Sequence, residues 1–293
     1  LEAEARARLK ELRPGICLLE YQNSLTLGDM GAYEAFTELD WKLTSPSGKI
    51  LGDARRPDEY IYADFRKASV REEALKQIES KLDEPHIDGI FFDSLVGFQV
   101  MPNKMRKAGF LEPAIEAWLQ GYEDLLRRAG ASAQKRKKLC IGNLLRARNF
   151  EDAGLSVLKQ GWLDGSYAEN MIYEDPELQA KIIDALIAAG QEGFMLVQNP
   201  DREVTEKLSE DGLDYAKAIF LVSMSERSYL MYGVWGNIRL NKWQQPFDFV
   251  DDPKSLGEPV GPAKKKGFVY TRSFKHADVW LDVGDQRAKI TWK

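Results

Sequence analysis

Two short stretches of the sequence place an acidic residue at the end of an apolar run. In HIDGIFFDSLVG, residues 86–97, the apolar run leads to Asp93. In WLDGSYAENM, residues 162–171, the same D-G-x-x-x-acid spacing leads to Glu169. Short apolar runs bounded by turn residues are typical of buried strands. The shared spacing predicts two strands that each carry one carboxylate at the same end.

These two acids predict a particular chemistry. Side chains alternate along a strand, so Asp93 shares its direction with Phe91, and Glu169 shares its direction with Tyr167. At the carboxyl ends of parallel strands, both carboxylates would face one cleft. Such a pair is typical of glycoside hydrolysis, in which one carboxylate acts as nucleophile or base and the other donates a proton. Asp93 and Glu169 are therefore the predicted catalytic residues.

Polar and aromatic residues also stand near the ends of the predicted strands. Sugars need hydrogen-bonding groups for their hydroxyls and aromatic faces for their C–H surfaces. The predicted substrate-binding residues are Glu20, Tyr21, Asn23, Asn143, Tyr167, Gln198, Asn199 and Trp235. Glu20 has an alternative role as the partner of an arginine. A single Asp or Asn after a strand is also often a helix cap or a turn residue.

Other chemistries lack their motifs in this sequence. The two histidines, His86 and His276, form no H-E-x-x-H motif, so no metal site is predicted. There is no G-x-S-x-G, no Walker loop and no glycine-rich phosphate loop after a strand, so no cofactor is implied. A net charge of -5 argues against a nucleic-acid partner. The basic runs at 134–138 and 264–266 are interpreted as solvated loops, and no apolar run is long enough to span a membrane.

The elements that would position the acids follow from the hydrophobic pattern. Short apolar runs alternate with longer amphipathic stretches, which is typical of parallel strands separated by helices. Pro176 is predicted to start a helix, and Gly130 and Gly190 are predicted to end theirs. Six strands are predicted at residues 16–21, 87–93, 139–143, 163–169, 193–198 and 229–234. Five helices are predicted at residues 69–83, 111–130, 150–160, 176–190 and 212–226.

This alternation predicts an α/β fold. Because the sequence opens on a charged helical pattern, we expect a strand or two upstream and a (β/α)8 TIM barrel overall. An open doubly wound sheet is the alternative. Residues 22–68 form a long excursion with a turn at 44–50 and an extra strand at 59–65. From about residue 260, period-two alternation predicts a small C-terminal antiparallel β domain, giving two domains at 1–259 and 260–293.

Several stretches together resemble a known group of proteins, the hypothetical glycosyl hydrolase barrels related to glycoside hydrolase family 114. They are RPGICLLEYQN, IDGIFFDSL, LDGSYAENM, YAKAIFLVSMS, YLMYGVWG and YTRSFKHADVWLDV, which together run through about residues 10–285. The resemblance implies a TIM barrel with a small C-terminal β domain and a polysaccharide or oligosaccharide substrate. It also implies an extracellular or cell-envelope location.

The resemblance extends to barrels similar to α-galactosidases and implies separate roles for the two acids. With two strands upstream, Asp93 falls on the fourth barrel strand and Glu169 on the sixth. In those barrels these positions hold the nucleophile and the acid/base, which implies hydrolysis at an α-linkage with retention. Two alternatives stay open: a carbohydrate-binding barrel without turnover, and a structural or assembly protein built on the same scaffold.

Overall fold

The structure is a computed structural model that describes residues 3–26, 41–52, 60–95, 97–145, 157–169, 171–199, 210–232 and 256–293. The chain divides into two compact units. The first consists of Leu1–Leu144 with Glu151–Gly165, and the second of Leu145–Phe150 with Ser166–Lys293. Among the helices in the described ranges, none is long and apolar enough to cross a membrane.

The first unit alternates helices with parallel strands. Strand β1 pairs with β2, and β2 pairs with β3, both in parallel. The apolar side chains Ile90 and Phe92 of β2 are fully buried, as expected for a strand covered by helices. The elements are α1 (Ala3–Leu12), β1 (Leu19–Asn23), α2 (Ala68–Asp83), β2 (Gly89–Asp93), α3 (Gly97–Lys107), α4 (Glu112–Lys135) and β3 (Leu139–Leu145).

The second unit continues the alternation and ends in an antiparallel sheet. Strands β5 and β6 pair in parallel, and the last four strands form a sheet in the order β10-β9-β8-β7. Alternate residues of β9 are buried, which gives this sheet one buried face. The elements are β4 (Gly165–Glu169), α5 (Pro176–Glu192), β5 (Phe194–Asn199), α6 (Glu210–Ser223), β6 (Ser228–Tyr232), β7 (Lys264–Lys266), β8 (Val269–Ser273), β9 (Ala277–Asp282) and β10 (Arg287–Trp292).

The predicted α/β fold with a C-terminal antiparallel sheet is confirmed. All six strands predicted between residues 16 and 234 are present within a few residues of the predicted bounds. One detail is corrected, because Lys264–Lys266 form the exposed edge strand β7 and not a loop. Closure into an eight-stranded barrel and a domain boundary at 259/260 stay predictions. Most of the helix predicted at 150–160 lies outside the described residues.

Gly130 does not end its helix, as the sequence predicted, because α4 continues to Lys135. A Cβ atom at Gly130 would lie 2.2 Å from the carbonyl oxygen of Trp162. The glycine therefore serves a close approach between α4 and the loop that precedes β4. The absence of a side chain matters here for packing and not for helix termination.

Helix α5 begins where the sequence predicts. The side chain of Asp175 accepts a hydrogen bond from the backbone N–H of Glu177 at 2.9 Å, and Pro176 occupies the first helical position. The helix ends at Glu192, two residues beyond Gly190, where its end was predicted. Gly190 therefore predicted the end of this helix to within two residues.

Carboxylates at the beginnings of two strands bind the backbone of the neighbouring strand. Oδ2 of Asp88 accepts hydrogen bonds from the N–H of Leu18 at 2.6 Å and from the ammonium group of Lys10 at 2.5 Å. Oδ2 of Asp164 accepts the N–H of Cys140 at 2.8 Å. The first acid of each D-G-x-x-x-acid stretch therefore aligns one strand with the next.

The basic run at 134–138 is not the solvated loop that the sequence predicted. The guanidinium group of Arg136 donates two hydrogen bonds to Asp83, at 2.7 and 3.0 Å. The ammonium group of Lys138 binds the carbonyl oxygens of Leu82 and Glu84. Because the last carbonyl groups of a helix lack partners within the helix, Lys138 stabilises the end of α2. Arg136 binds an acidic side chain at the same helix end.

Polar side chains of the C-terminal sheet bind helices of the second unit. Nη1 of Arg272 in β8 donates to the carbonyl oxygens of Leu221 at 3.0 Å and Met224 at 2.6 Å, at the end of α6. The hydroxyl of Tyr270 donates to Oδ1 of Asp184 in α5 at 3.0 Å. The sheet thus supplies donors to two helices of its own unit.

We predict that Asp88 contributes stability that is lost in acid. Burial opposes its charge, but the hydrogen bonds from Leu18 and Lys10 outweigh this and lower the pKa of Asp88 below its ordinary value. The stability gained is complete above the unfolded-state pKa of about 3.9 and is lost as the pH falls through the folded-state pKa. Asp88→Asn should therefore lower the free energy of unfolding by about 1 to 2 kcal/mol at pH 7.

The measurement is urea unfolding of the wild type and Asp88→Asn at pH 7 and pH 3. The difference in the free energy of unfolding between the two proteins should be smaller at pH 3 than at pH 7. Glu11→Gln removes an exposed carboxylate from α1 and is the control, which should match the wild type at both pH values. An equal loss for Asp88→Asn at both pH values would contradict the ionic contribution.

Gly130→Ala should destabilise the protein although alanine is the better helix former. Helix propensity alone would raise the free energy of unfolding by about 1 kcal/mol. The new Cβ, however, would collide with the Trp162 carbonyl oxygen. We expect a net loss of about 1 to 3 kcal/mol in thermal or urea unfolding. Gly190→Ala is the matched control, since its nearest neighbour is the Ser225 side chain at 3.2 Å and not backbone. A stabilised Gly130→Ala would disprove the close approach.

Candidate active site

Asp93, the last residue of β2, is held by three hydrogen-bond donors of the first unit. Its Oδ2 accepts the phenol of Tyr21 at 2.8 Å. Its Oδ1 accepts the side-chain amide of Asn143 at 2.9 Å and the backbone N–H of Ser94 at 2.7 Å. Three residues that the sequence singled out, Asp93, Tyr21 and Asn143, therefore come together around one carboxylate.

The parallel register explains why these side chains meet. In β1, Asn23 lies opposite Asp93, so Tyr21 two residues earlier points in the same direction. In β3, Gly142 lies opposite the residue before Asp93, so Asn143 follows beside the carboxylate. Tyr21 and Asn143 therefore reach Asp93 from the two neighbouring strands.

Two other predicted residues of β1 have structural partners. Oδ1 of the buried Asn23 accepts the backbone N–H of Leu25 at 3.0 Å and that of the next residue at 3.2 Å. Oε2 of Glu20 lies 3.7 Å from Nη1 of Arg6 in α1. The arginine partner that was one alternative for Glu20 is therefore present, and contact of either residue with a substrate stays a prediction.

A buried layer supports Asp93 from behind. The hydroxyl groups of Ser24 and Tyr122 are 2.6 Å apart, and the Ser24 N–H donates to the backbone carbonyl of Asp93 at 3.0 Å. The ring of Tyr122 stacks on Phe65 and Trp118, with centroids 5.3 and 5.2 Å away. Burial raises the pKa of Tyr122 far above its ordinary value, the Ser24 bond lowers it slightly, and the charge of Asp93 raises it further. The phenol therefore stays neutral and acts as a hydrogen-bonding group.

Sequence reasoning did not identify Ser24, Ser94 or Tyr122. Tyr122 lies on α4 at a position whose spacing predicts core packing alone. Its partner Ser24 is 98 residues away in the sequence, and no local pattern connects them. The one available signal for Ser94 is its place directly after Asp93.

The excursion after β1 carries short antiparallel segments to the carboxyl end of that strand. The N–H of Ala63 donates to the carbonyl of Leu25 at 3.0 Å, and Lys42 pairs with Ala63 in an antiparallel bridge. Nε1 of Trp118 donates to the carbonyl of Ala63 at 2.9 Å. The predicted turn at 44–50 is present, and the extra strand expected at 59–65 consists of single bridges. This excursion is therefore anchored on both β1 and α4.

The remaining predicted residues lie in the second unit or outside the described residues. Glu169 ends β4 and is half-buried, and Tyr167 is buried two positions before it. Because Asp93 and Glu169 belong to different units, their pairing stays a prediction. Gln198 and Asn199 belong to β5 by their backbone, but their side chains lie outside the described part of the structure, as does all of Trp235. Within the described ranges, no cluster of three or more His, Cys, Asp or Glu side chains is placed to hold a metal ion.

A comparison with protein families decides the relationship that the sequence suggested. The family described as hypothetical glycosyl hydrolase family 15 matches residues 10–278. The chain belongs to this family. A comparison with curated proteins found no match. The expected relationship to hypothetical glycosyl hydrolases is thus confirmed, whereas a link to family 114 in particular stays a prediction.

Solved structures that resemble this member of hypothetical glycosyl hydrolase family 15 include three glycosidases. The GH36 α-galactosidase AgaA from Geobacillus stearothermophilus has 12% identity and a TM-score of 0.54 over 94% of this chain and 37% of its own. The α-galactosidase TtGalA from Thermus thermophilus has 14% identity and a TM-score of 0.53 over 97% of this chain and 55% of its own. The maltogenic α-amylase AmyB from Thermotoga neapolitana has 12% identity and a TM-score of 0.50 over 96% of this chain and 67% of its own.

The family member shares a fold with these glycosidases but covers only part of two of them. The chain spans only 37% of the length of AgaA and 55% of that of TtGalA. At identities of 12 to 14%, the likeness shows a shared fold.

The layer behind Asp93 should be measurable as a coupling between Ser24 and Tyr122. Tyr122→Phe leaves the buried hydroxyl of Ser24 without its partner, so we expect a loss of about 1 to 2 kcal/mol in the free energy of unfolding. Ser24→Ala should have a similar effect, and the double variant should lose less than the sum by about 0.5 to 1.5 kcal/mol. Chemical denaturation of the four proteins measures this, and strictly additive losses would contradict the 2.6 Å contact.

Proposed function

We propose that the protein is a glycoside hydrolase built on a β/α barrel, with Asp93 and Glu169 as its two catalytic carboxylates. Membership of hypothetical glycosyl hydrolase family 15 supports this class of activity. The observation that carries the proposal is the carboxylate of Asp93, which three donors orient at the carboxyl end of a parallel strand. In barrels of this kind, reacting groups gather at that end of the strands.

The donors around Asp93 favour the role of nucleophile over that of acid. The amide Nδ2 of Asn143 and the backbone N–H of Ser94 both donate to Oδ1, so this oxygen is held as a hydrogen-bond acceptor. The role of the acid, which must first give a proton to the leaving oxygen, is therefore proposed for Glu169. This division of roles agrees with the one that the resemblance to α-galactosidase-like barrels implies.

The proposed reaction has two steps. An oxygen of Asp93 attacks the anomeric carbon while the bond to the leaving oxygen breaks and Glu169 protonates that oxygen, which gives a glycosyl ester of Asp93. Glu169 then takes a proton from a water molecule that attacks the same carbon, and the ester bond to Asp93 breaks. The anomeric configuration is retained. No cofactor takes part, and the two carboxyl groups should lie about 5 to 5.5 Å apart.

The proposed substrate is a polysaccharide or oligosaccharide with an α-linkage. The similar solved structures include α-galactosidases and an α-amylase, which supports this class without identifying the sugar. An extracellular or cell-envelope location, where such polymers occur, is part of the same proposal.

The test is the release of reducing ends from a panel of α-linked polysaccharides and oligosaccharides. Asp93→Asn and Glu169→Gln should each lower kcat by at least about a thousandfold while remaining folded. Asp285→Asn, in the exposed turn between β9 and β10, and Glu192→Gln, at the end of α5, are matched controls that should keep the wild-type kcat. Proton NMR of the first product should show the α-anomer.

Each alternative has its own outcome in this experiment. If no glycan is cut but one binds equally to all five proteins, the barrel is a carbohydrate-binding module and the catalytic roles are wrong. If no glycan is cut or bound, the structural or assembly alternative is favoured. A β-anomer as the first product would leave the hydrolase but overturn retention.

A further inference from the structure

Ser94, the residue directly after Asp93, has a left-handed backbone conformation. Its φ of 61° is unfavourable for a residue with a side chain. The N–H of Ser94 lies in the peptide plane that follows Asp93 and donates to Oδ1 at 2.7 Å. The positive φ is the rotation by which the chain continues from that plane into the turn before α3. Unfavourable backbone angles persist only where the surrounding structure holds them in place.

The surroundings of Ser94 are closely packed and hold this turn. Leu95 is 1% exposed, and its Cδ1 lies 2.2 Å from the position that a Cβ of Gly142 would take. Gly97 makes room for Leu25 in the same way, with Cδ2 of Leu25 at 2.4 Å from such a position. The N–H of Gly97 donates to the carbonyl of Ser94 at 3.2 Å. Two glycines on different elements therefore accommodate the side chains beside this turn.

The same conformation occurs elsewhere without this contact. In the described part of the chain, His86, Lys137 and Gln286 are the other non-glycine residues with positive φ. His86 precedes β2 and Lys137 precedes β3, so both lie at the opposite ends of the strands from Asp93. Ser94 alone among these four donates its N–H to the carboxylate of Asp93.

We propose that Ser94 is a positioning residue for Asp93, an inference that rests on the proposed function. Tyr21 and Asn143 donate from neighbouring strands, whereas Ser94 donates from the peptide next to Asp93 itself. This peptide plane keeps its orientation only while residue 94 tolerates a positive φ, because any other φ would require the plane to rotate for the chain to enter the same turn. The hydroxyl group is not required. The strained turn orients the carboxylate for attack on the anomeric carbon.

Substitutions that differ in their tolerance of positive φ test this proposal. Ser94→Val should lower kcat by about 10- to 100-fold, because small displacements of a reacting group have effects of this size, and should change KM by less than about threefold. Ser94→Thr keeps the hydroxyl but is also β-branched, so its kcat should fall as well. Ser94→Gly, which adopts positive φ freely, should keep at least about a third of kcat.

The matched control imposes the same backbone conflict away from Asp93. Lys137→Val should lose stability but keep the wild-type kcat per folded molecule. Crystal structures of wild type and Ser94→Val should show the distance from the backbone nitrogen of residue 94 to Oδ1 of Asp93 lengthening beyond about 3.5 Å. If Ser94→Val does not fold, Ser94→Thr provides the same comparison.

The outcomes separate this inference from the proposed function. An unmoved carboxylate in Ser94→Val would overturn the inference, as would a glycine variant as impaired as the valine variant. If the wild type cleaves no glycan, the proposed function fails, and the crystal structures still decide whether Ser94 orients Asp93. A threonine variant with wild-type kcat would show that the hydroxyl, and not the backbone angle, is what matters, and would also overturn it.

Discussion

The register of β1 against β2 is the constraint on which the candidate site depends. The two strands align from Leu19 opposite Gly89 to Asn23 opposite Asp93. A slip of one residue would turn every side chain of β1 to the other face, so Tyr21 would point away from Asp93. Hydrogen bonds hold both ends of this pair: the carboxylate of Asp88 binds the chain that enters β1, and the N–H of Ser24 binds the last carbonyl of β2. The geometry around Asp93 is thus set partly at the far end of the strand.

The two acids of each D-G-x-x-x-acid stretch have different roles, although the sequence presents them alike. Asp88 and Asp164 bind backbone N–H groups at the beginnings of strands, where they align neighbours. Asp93 stands at the carboxyl end and receives side-chain donors from both adjacent strands. The repeated spacing therefore combines a structural carboxylate with a candidate catalytic one on the same strand.

The strands and the placement of Asp93, Tyr21 and Asn143 near the same ends of their strands could be predicted, because alternation and strand ends are local properties of the sequence. That Tyr21 and Asn143 bind Asp93 was not predicted. Contacts between distant segments could not. Ser24 and Tyr122 are 98 residues apart, and the cations Arg136 and Lys138 were interpreted as solvated because their partners at the end of α2 lie more than 50 residues earlier. Gly130 was misinterpreted for the same reason, since the backbone that approaches it belongs to Trp162. Helix α3 was missed, and Pro102 inside it interrupts the helical pattern.

Through Arg272, Tyr270 and Lys265, the C-terminal sheet supplies hydrogen-bond donors to the helices that precede it. The guanidinium group of Arg272 serves the carbonyl oxygens at the end of α6, while Tyr270 and Lys265 share Asp184 of α5. A sheet that completes the hydrogen bonding of two preceding helices is not an interchangeable module. If segments of related chains were recombined, strands β7 to β10 would have to be inherited together with α5 and α6, because a helix end matched to a foreign sheet would lose the donors that satisfy it. The natural unit of exchange in this part of the molecule is therefore larger than the sheet itself.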